Sequence, residues 1–376
     1  MPPSNTLAAR NEEGIEMTDQ PKVYQWQQLH DFCTRVFMAL GMPEEDAKME
    51  ADTLIWANLR AVDSHGVVRI PWYVENTRKG IINPTPDIKV TINTPAIAML
   101  EADRAFGPVV TNMAADMAVE KARQVGIGWI LVRNHTHQGT MGQYAQRIAE
   151  QDMVGIVFVC SRPNVAPFGA SKAGVSNNPI GLAAPARRHP HLVLDMATSA
   201  VAMGKVLVAR DRGDSIPESW GLDETGKPTT DPSALAALLP VGGPKGSGMS
   251  LLFECMGSIM AGNPLVLPVL SGEVETPSTT SHVGKMARHN QNCVVAAVDI
   301  SRFTDVDTYK DEVDRLIDHL KELPKAEGFD EILMPGEREE RAYEQRISSG
   351  IPVPAGTLKA LRKIADELGI ELLDTE

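Results

Sequence analysis

The segment from Asp63 to Tyr73 carries a hydroxyl on Ser64, an imidazole on His65, a guanidinium on Arg69 and a phenol on Tyr73. That set suits a small carboxylated substrate. A guanidinium grips a carboxylate through two parallel charge-assisted hydrogen bonds, and an imidazole titrating near neutrality passes a proton to or from an adjacent oxygen or nitrogen. Gly66 lets the backbone approach a ligand closely. Standing alone, Ser-His-Gly also reads as a helix end running into a turn, with His65 an ordinary polar residue; three further clusters add weight to the chemical reading.

The second cluster runs from Arg133 to Gly139 and contains His135 and His137. It falls where an apolar strand pattern ends and the helix containing Tyr144 begins, and strand ends of α/β sheets commonly face a binding crevice. Two histidines two apart could ligate zinc, but no H-E-x-x-H or neighbouring cysteine set accompanies them, so a general acid or base is expected and no metal. Histidines that only satisfy loop carbonyls are the structural alternative. The third cluster, Cys160-Ser161-Arg162-Pro163-Asn164 on to Gly169, also follows an apolar strand, and its prolines and glycines mark a shaped loop. Ser161 and Arg162 are candidates there to touch a cofactor or substrate, a solvated loop arginine being the alternative for Arg162. The fourth, Gly242-Gly243-Pro244-Lys245-Gly246-Ser247-Gly248, opens an apolar helix, and free amides at a helix start beside a lysine make an anion site. It is not a Walker loop, and no G-x-G-x-x-G follows a strand, so motifs alone leave a nucleotide site and a plain glycine-rich helix entry equally open.

The elements that must carry these residues follow from periodicity. Amphipathic helices are predicted near 24–40 and 44–60, separated by Gly41-Met42-Pro43, with Glu44, Glu45 and Asp46 complementing the dipole of the second. From about 95 short apolar runs alternate with helices: strands at Ile127 to Val132, Val154 to Cys160, Leu192 to Met196 and Cys293 to Ile300, with helices near 109–124, 140–151, 199–211 and 247–261. After about 305 the chain is charged and helical again, which suits packing against the N-terminal helices. Residues 1–21 are polar and read as a disordered leader.

At 376 residues with 43% apolar content, the chain can build two cores. Its 36 basic against 49 acidic residues leave a formal net charge of −13, which argues against nucleic acid or an anionic membrane as partner. No window approaches the roughly 18 apolar residues of a membrane span. The cysteines Cys33, Cys160, Cys255 and Cys293 are far apart, with no C-x-x-C pair, so a reducing, cytoplasmic setting is expected.

Together the clusters closely resemble the malate/L-lactate dehydrogenase type 2 family from about residue 24 to 350. The resemblance runs through Ser64-His65-Gly66 with Arg69 and Tyr73, Asn134 to Gly139, Pro167-Phe168-Gly169, Asn178-Pro179, Leu194 to Ser199, Pro228 to Pro232 and Gly243 to Gly246. Ala166 to Gly169, Thr229 to Pro232 and Leu238 to Pro240 are most similar to the family's ureidoglycolate dehydrogenases. The resemblance implies an α/β fold: a non-Rossmann nicotinamide-binding domain over 93–299, and a mostly helical substrate and dimerisation domain built from 22–92 and 300–376. It implies NAD or NADP as cofactor, with a lean to NAD, and a homodimer or larger homo-oligomer. It places His65 and His137 at catalytic positions, and Ser64, Arg69 and Tyr73 around the substrate. Ser161, Asp195, Met196, Ala197 and Lys245 fall at cofactor contacts, and Arg288-His289-Asn290 near another. Three departures bear on substrate: an extra imidazole at His135 that would crowd the pocket, Arg162 after Ser161, which favours a more anionic substrate if it points inward, and Ser176-Asn177 before Asn178-Pro179.

The reaction these residues imply is reversible oxidation of a small 2-hydroxy acid, such as malate, lactate, sulfolactate or ureidoglycolate, to its 2-oxo acid. Reduction of a cyclic imino acid, pyrroline-2-carboxylate or piperideine-2-carboxylate, is the alternative on the same scaffold. A serine hydrolase using Ser64 or Ser161 lacks a G-x-S-x-G elbow. A non-catalytic binding relative has no positive feature in its favour.

Overall fold

The computed structural model describes residues 21–273 and 290–371; the expected leader, but for Pro21, and Arg288 and His289 lie outside the described residues. After a short strand β1 (Lys22–Tyr24), helix α1 (Trp26–Ala39) opens on a reciprocal bond between Gln25 and Gln28, and stops at Leu40 before Gly41, whose φ of 91° suits glycine. Pro43 and the acidic first turn start α2 (Glu44–Leu59), which buries a stripe through Ala47, Glu50, Ala51, Leu54 and Asn58. Two single 3-10 turns, Asp63–His65 and Val67–Arg69, then lead into α3 (Ile70–Arg78).

The centre is a seven-stranded sheet. Strands β2 (Lys89–Asn93) and β3 (Ile97–Glu101) precede helix α4 (Gly107–Val125), then come β4 (Ile127–His135), helix α5 (Met141–Ala149), β5 (Met153–Cys160), β6 (Ile180–Ala184) and β7 (Leu192–Met196). Helix α6 (Met203–Arg212), a hairpin of β8 (Gly221–Asp223) and β9 (Leu235–Leu238), helix α7 (Pro244–Phe253) and the short α8 (Leu267–Leu270) lead to β10 (Gln291–Asp299). The sheet order is β2-β3-β4-β10-β5-β6-β7; β3 runs parallel to β4, and every other neighbouring pair is antiparallel.

Strands such as β5 and β10 are apolar at almost every position because both faces are covered. Ile130, Val132, Val157 and Val295 pack with Ala114, Ala118, Tyr144 and Ile148 of α4 and α5 on one side, while Leu131, Phe158 and Val294 meet Phe253 beyond α7's side of the sheet. Instead of the single helix expected over 247–261, α7 passes into a π turn at Glu254–Ile259. An insertion of this kind is absorbed without ending the helix and leaves no periodicity signal.

Beyond β10, helix α9 (Val306–Glu322) presents Asp314 to the backbone N–H groups of Arg187, Arg188 and His189. Helix α10 (Glu337–Ser349), strand β11 (Ile351–Val353) and helix α11 (Ala355–Leu368) return to the start of the chain. There β11 pairs antiparallel with β1, and Leu358, Leu361 and Ile364 join Leu29, Phe32 and Leu54 in one core. Among the described residues no helix is long and apolar enough to cross a membrane.

Candidate active site

The turn that carries the first cluster is held from two distant places. From α2, Asn58 donates through Nδ2 to Asp63 at 2.7 Å and accepts the Val67 N–H on Oδ1 at 2.9 Å. Gly66 between them touches Asn58 so closely that a Cβ would stand 2.1 Å from its Oδ1, so only glycine fits. From α10, Arg346 donates to the Asp63 carboxylate at 2.7 Å. Thus pinned, Ser64 Oγ lies 2.9 Å from His65 Nδ1, and Arg69 Nε donates to the Ser64 carbonyl at 2.6 Å. Among the described residues no carboxylate pairs with Arg69, although burial makes its charge costly enough to pull its pKa down.

The second cluster comes off the end of β4 onto the same spot. Thr136 is tied to Ala105 through both its N–H and its hydroxyl, Gln138 donates to Thr111 of α4, and the Tyr144 hydroxyl donates to the Gln138 carbonyl at 2.6 Å. Gly107, at the first position of α4, lies so near that a Cβ would sit 2.4 Å from the His137 carbonyl. His137 is therefore held on three sides. Its ring stacks on His65 with centroids 5.7 Å apart and planes 17° apart, its Nδ1 lies 2.7 Å from the Tyr73 hydroxyl, and Trp72 meets it edge-on at 5.8 Å. Two clusters 72 positions apart at their histidines thus form one imidazole pair flanked by Arg69 and Tyr73.

Burial and the Arg69 guanidinium lower the His65 pKa to about 4, so this ring is neutral near pH 7. The expected crowding by His135 does not occur. Its side chain is fully buried at the end of β4, and its Nδ1 lies 2.7 Å from the Thr136 carbonyl. Burial lowers its pKa to about 4 as well, so it stays a neutral interior histidine. His135 is the last residue of β4, and the strand conformation breaks there, with Asn134 at φ 63°, so His137 leaves the period of two that would have put it on the face of His135 and meets His65 instead.

A cavity of about 930 Å³ opens beside the pair, with Ser64, His65, Asp195, Met196 and Ala197 in its wall. Asp195 is open to this cavity yet walled by protein, and that desolvation raises its pKa to about 6 despite the Gly142 N–H it accepts at the start of α5. The other positions expected to meet a cofactor lie around the same strand exit. Thr198 bonds its N–H to the Asn177 carbonyl and accepts the Val241 N–H at 2.8 Å, while Ser161 Oγ is 2.5 Å from Ser176 Oγ. Gly242 and Gly243, at φ 58° and 59°, turn the chain into α7, and a Cβ on Gly246 would stand 2.4 Å from the Val241 carbonyl. Exposed Lys245 sits on this first turn. Asn290 immediately precedes β10, whose Gln291 pairs with His135. Arg162, Ser161 and Lys245 do not line the cavity among the described residues.

Sequence reading missed Asn58, Trp72 and Arg346. A polar Asn58 on the buried stripe of α2 was the available signal; Trp72 lies inside the Asp63–Tyr73 motif itself; Arg346 sits 283 positions from its partner Asp63 and carries no local pattern.

The stacked histidine pair, a guanidinium with no counter-ion among the described residues and a cavity of about 930 Å³ beside them make up the candidate site. The malate/L-lactate dehydrogenase family model matches residues 24–362, and the chain belongs to that family; it is a nicotinamide-dependent dehydrogenase of 2-hydroxy acids. A malate dehydrogenase of Pyrococcus abyssi is 38% identical across 92% of this chain and 95% of its own length. A ureidoglycolate dehydrogenase (NAD(+)) of Escherichia coli O157:H7 is 31% identical across 86% and 90%. The solved sulfolactate dehydrogenase of Methanocaldococcus jannaschii matches with a TM-score of 0.81 at 35% identity, covering 93% of this chain and 98% of that one.

Proposed function

We propose that the chain interconverts a small 2-hydroxy acid of the malate and sulfolactate type with its 2-oxo acid, using NAD. The observation that carries this reading is Arg69, a half-buried guanidinium with no carboxylate partner among the described residues, in the same turn as His65, whose ring stacks on His137. A substrate carboxylate supplies the missing counter-ion, and bidentate pairing then fixes C2 and its hydroxyl against the imidazoles. The names of the relatives support the substrate class, and the NAD(+) of the Escherichia coli relative supports the choice of cofactor.

The residues fit a nicotinamide dinucleotide. The cavity has the volume, the strand exit at Asp195, Met196 and Ala197 forms part of its wall, and exposed Lys245 at the α7 entry, outside that wall, offers a cation for a phosphate. Ser161, Asp195, Met196, Ala197, Lys245 and Asn290 would hold it within a sheet that is not the parallel Rossmann type. When bound, the cofactor accepts or donates the hydride at substrate C2. The protein supplies the proton step. Two stacked imidazoles cannot both carry charge cheaply; His65 is held neutral, so His137 is the ring that exchanges the proton with the C2 oxygen, through Nε2, since Tyr73 occupies Nδ1. Residues 93–299 then act as the cofactor domain, and 22–92 with 300–376 as the substrate and dimerisation domain of a cytoplasmic homodimer; four free cysteines suit that compartment.

The test follows nicotinamide absorbance with NAD and NADP against malate, lactate, sulfolactate and ureidoglycolate, and in reverse with pyruvate, oxaloacetate and pyrroline-2-carboxylate. Malate or sulfolactate turnover is expected, with His137→Ala losing roughly 10²–10⁴-fold in kcat and His65→Ala losing less. Turnover confined to the cyclic imine, or a His137→Ala variant as active as the parent, would overturn the reading.

A further inference from the structure

Helix α2 buries a stripe of small and apolar side chains, and in the middle of that stripe stands a glutamate. Glu50 is 0% exposed, and neither carboxyl oxygen has a hydrogen-bond partner among the described residues. Around it are Cys33 of α1, Tyr73 of α3 and Tyr144 of α5; the Tyr73 hydroxyl faces its carboxyl at interaction range without a formed hydrogen bond. No cation balances it among the described residues. An isolated buried carboxylate is among the costliest groups a protein can hold, and such a group keeps its proton instead; burial accordingly pushes the Glu50 pKa well above the usual carboxylate range.

The same Tyr73 hydroxyl lies 2.7 Å from His137 Nδ1, and that nitrogen also accepts the Gly139 N–H at 3.3 Å. A backbone N–H can only donate, so Nδ1 bears the lone pair and the ring proton of neutral His137 sits on Nε2. Tyr73 then donates to Nδ1, and its oxygen is left to accept from a protonated Glu50. Acid, hydroxyl and ring thus follow one another from the interior of the helical core to the imidazole pair, bonded between Tyr73 and His137 and unbonded between Glu50 and Tyr73 in this structure.

We propose that Glu50 is the proton store of this site, exchanging its proton with His137 through the Tyr73 hydroxyl; this rests on the dehydrogenase reading given above. In reduction, the C=O carbon receives hydride from the reduced nicotinamide while its oxygen takes the Nε2 proton of His137. The Tyr73 proton moves to Nδ1, and the Glu50 proton moves to the Tyr73 oxygen, leaving Glu50 as carboxylate and His137 neutral. Oxidation runs the same transfers backwards and leaves Glu50 protonated. The imidazole changes tautomer without accumulating charge beside Arg69 and His65. Glu50 touches no substrate; it is a positioning residue acting through Tyr73.

The test is Glu50→Gln, which keeps the volume and the hydrogen-bonding capacity but holds no exchangeable acid. The parent should sustain oxo-acid reduction to pH values above the ordinary imidazole range. The variant should match it closely at pH 6 but lose about tenfold to a hundredfold in kcat at pH 8, with KM moving less than about twofold. Coincident pH profiles, or a loss of equal size at every pH, which marks a packing role, would overturn the proposal. Two readouts on the protein without cofactor or substrate separate this from the dehydrogenase reading. Infrared spectra at neutral pH should show a protonated-carboxyl carbonyl band that the variant lacks, and ¹⁵N spectra should show His137 protonated on Nε2 in the parent, with its Nδ1 signal shifted in the variant. Their absence would sink the proton store even in an active enzyme; their presence would uphold it even if no 2-hydroxy acid were turned over.

Discussion

Replacing Arg69 with Lys tests the carboxylate clamp most directly. The guanidinium spends Nε on the Ser64 carbonyl at 2.6 Å, so its two terminal nitrogens remain to grip a carboxylate side-on. A lysine keeps the charge but loses the fork and the bond that orients the turn. A charge-assisted hydrogen bond contributes about 1.5–3 kcal/mol, and each 1.4 kcal/mol is tenfold, so kcat/KM for the 2-hydroxy acid should fall by roughly 10- to 150-fold. Part of that loss belongs to KM, because the clamp acts on the ground state too, and part to kcat, because C2 is no longer held against His137. Steady-state kinetics of malate oxidation at saturating cofactor give both, while the KM for cofactor, which Arg69 does not touch, is the internal control. An unchanged kcat/KM for the acid would refute the reasoning, and so would a loss confined to the cofactor.

Two further outcomes follow from the geometry. Arg346→Leu removes the α10 anchor of Asp63 and should lower kcat several-fold with cofactor affinity intact, alongside a loss of about 1–3 kcal/mol in stability, read by kinetics, fluorescence titration and denaturant unfolding; unchanged kcat would show that Asn58 alone sets the turn. Fully buried His135, at about 4 in the fold against 6.5 when unfolded, binds its proton only in the unfolded chain between those values, so it subtracts stability as pH falls from about 6.5 to 4, by on the order of 3 kcal/mol. His135→Gln should flatten that acid limb of the unfolding midpoint relative to the parent, and parallel limbs would count against it. The raised Asp195 carboxyl works in the opposite sense, losing stability as pH rises from 3.8 to about 6, which is why the comparison is between variant and parent.

Much of the site was written locally. Ser64, His65, Arg69 and Tyr73 fall within one turn and a helix start, and His137 follows a strand whose apolar run ends at Val132, while the strand itself continues to His135. Periodicity found β4, β5 and β10 because both their faces are buried, and the edge strand β7 through its apolar run, while β3 and β6 inside the sheet escaped it. It missed β2, whose five residues are all exposed, and the three-residue strands β1 and β11, which pair across the whole length of the chain. Sheet order was illegible for the same reason: β10 sits between β4 and β5 although more than 130 residues separate it from β5, and nothing local encodes such a pairing.

The least legible feature was the buried glutamate, and the reason is physical. Charge patterning takes a glutamate at the middle of a helix as solvated, because charged side chains are almost never fully buried unless paired. Glu50 occupies the same face as Ala47, Ala51 and Leu54, so the 3.6-residue period already placed it in the core. A core position and an ionisable side chain make a conflict between levels, and such conflicts collect at functional sites, where the stability they forfeit is offset elsewhere. Here the offset is visible. Phe37, Phe106, Tyr73 and Trp72 pack edge to face around the same point, and the chain ends contribute Leu358 and Leu361 to that core. The packed helical core surrounds the unpaired acid and carries Tyr73, whose hydroxyl meets His137, the ring stacked on His65 beside the cavity.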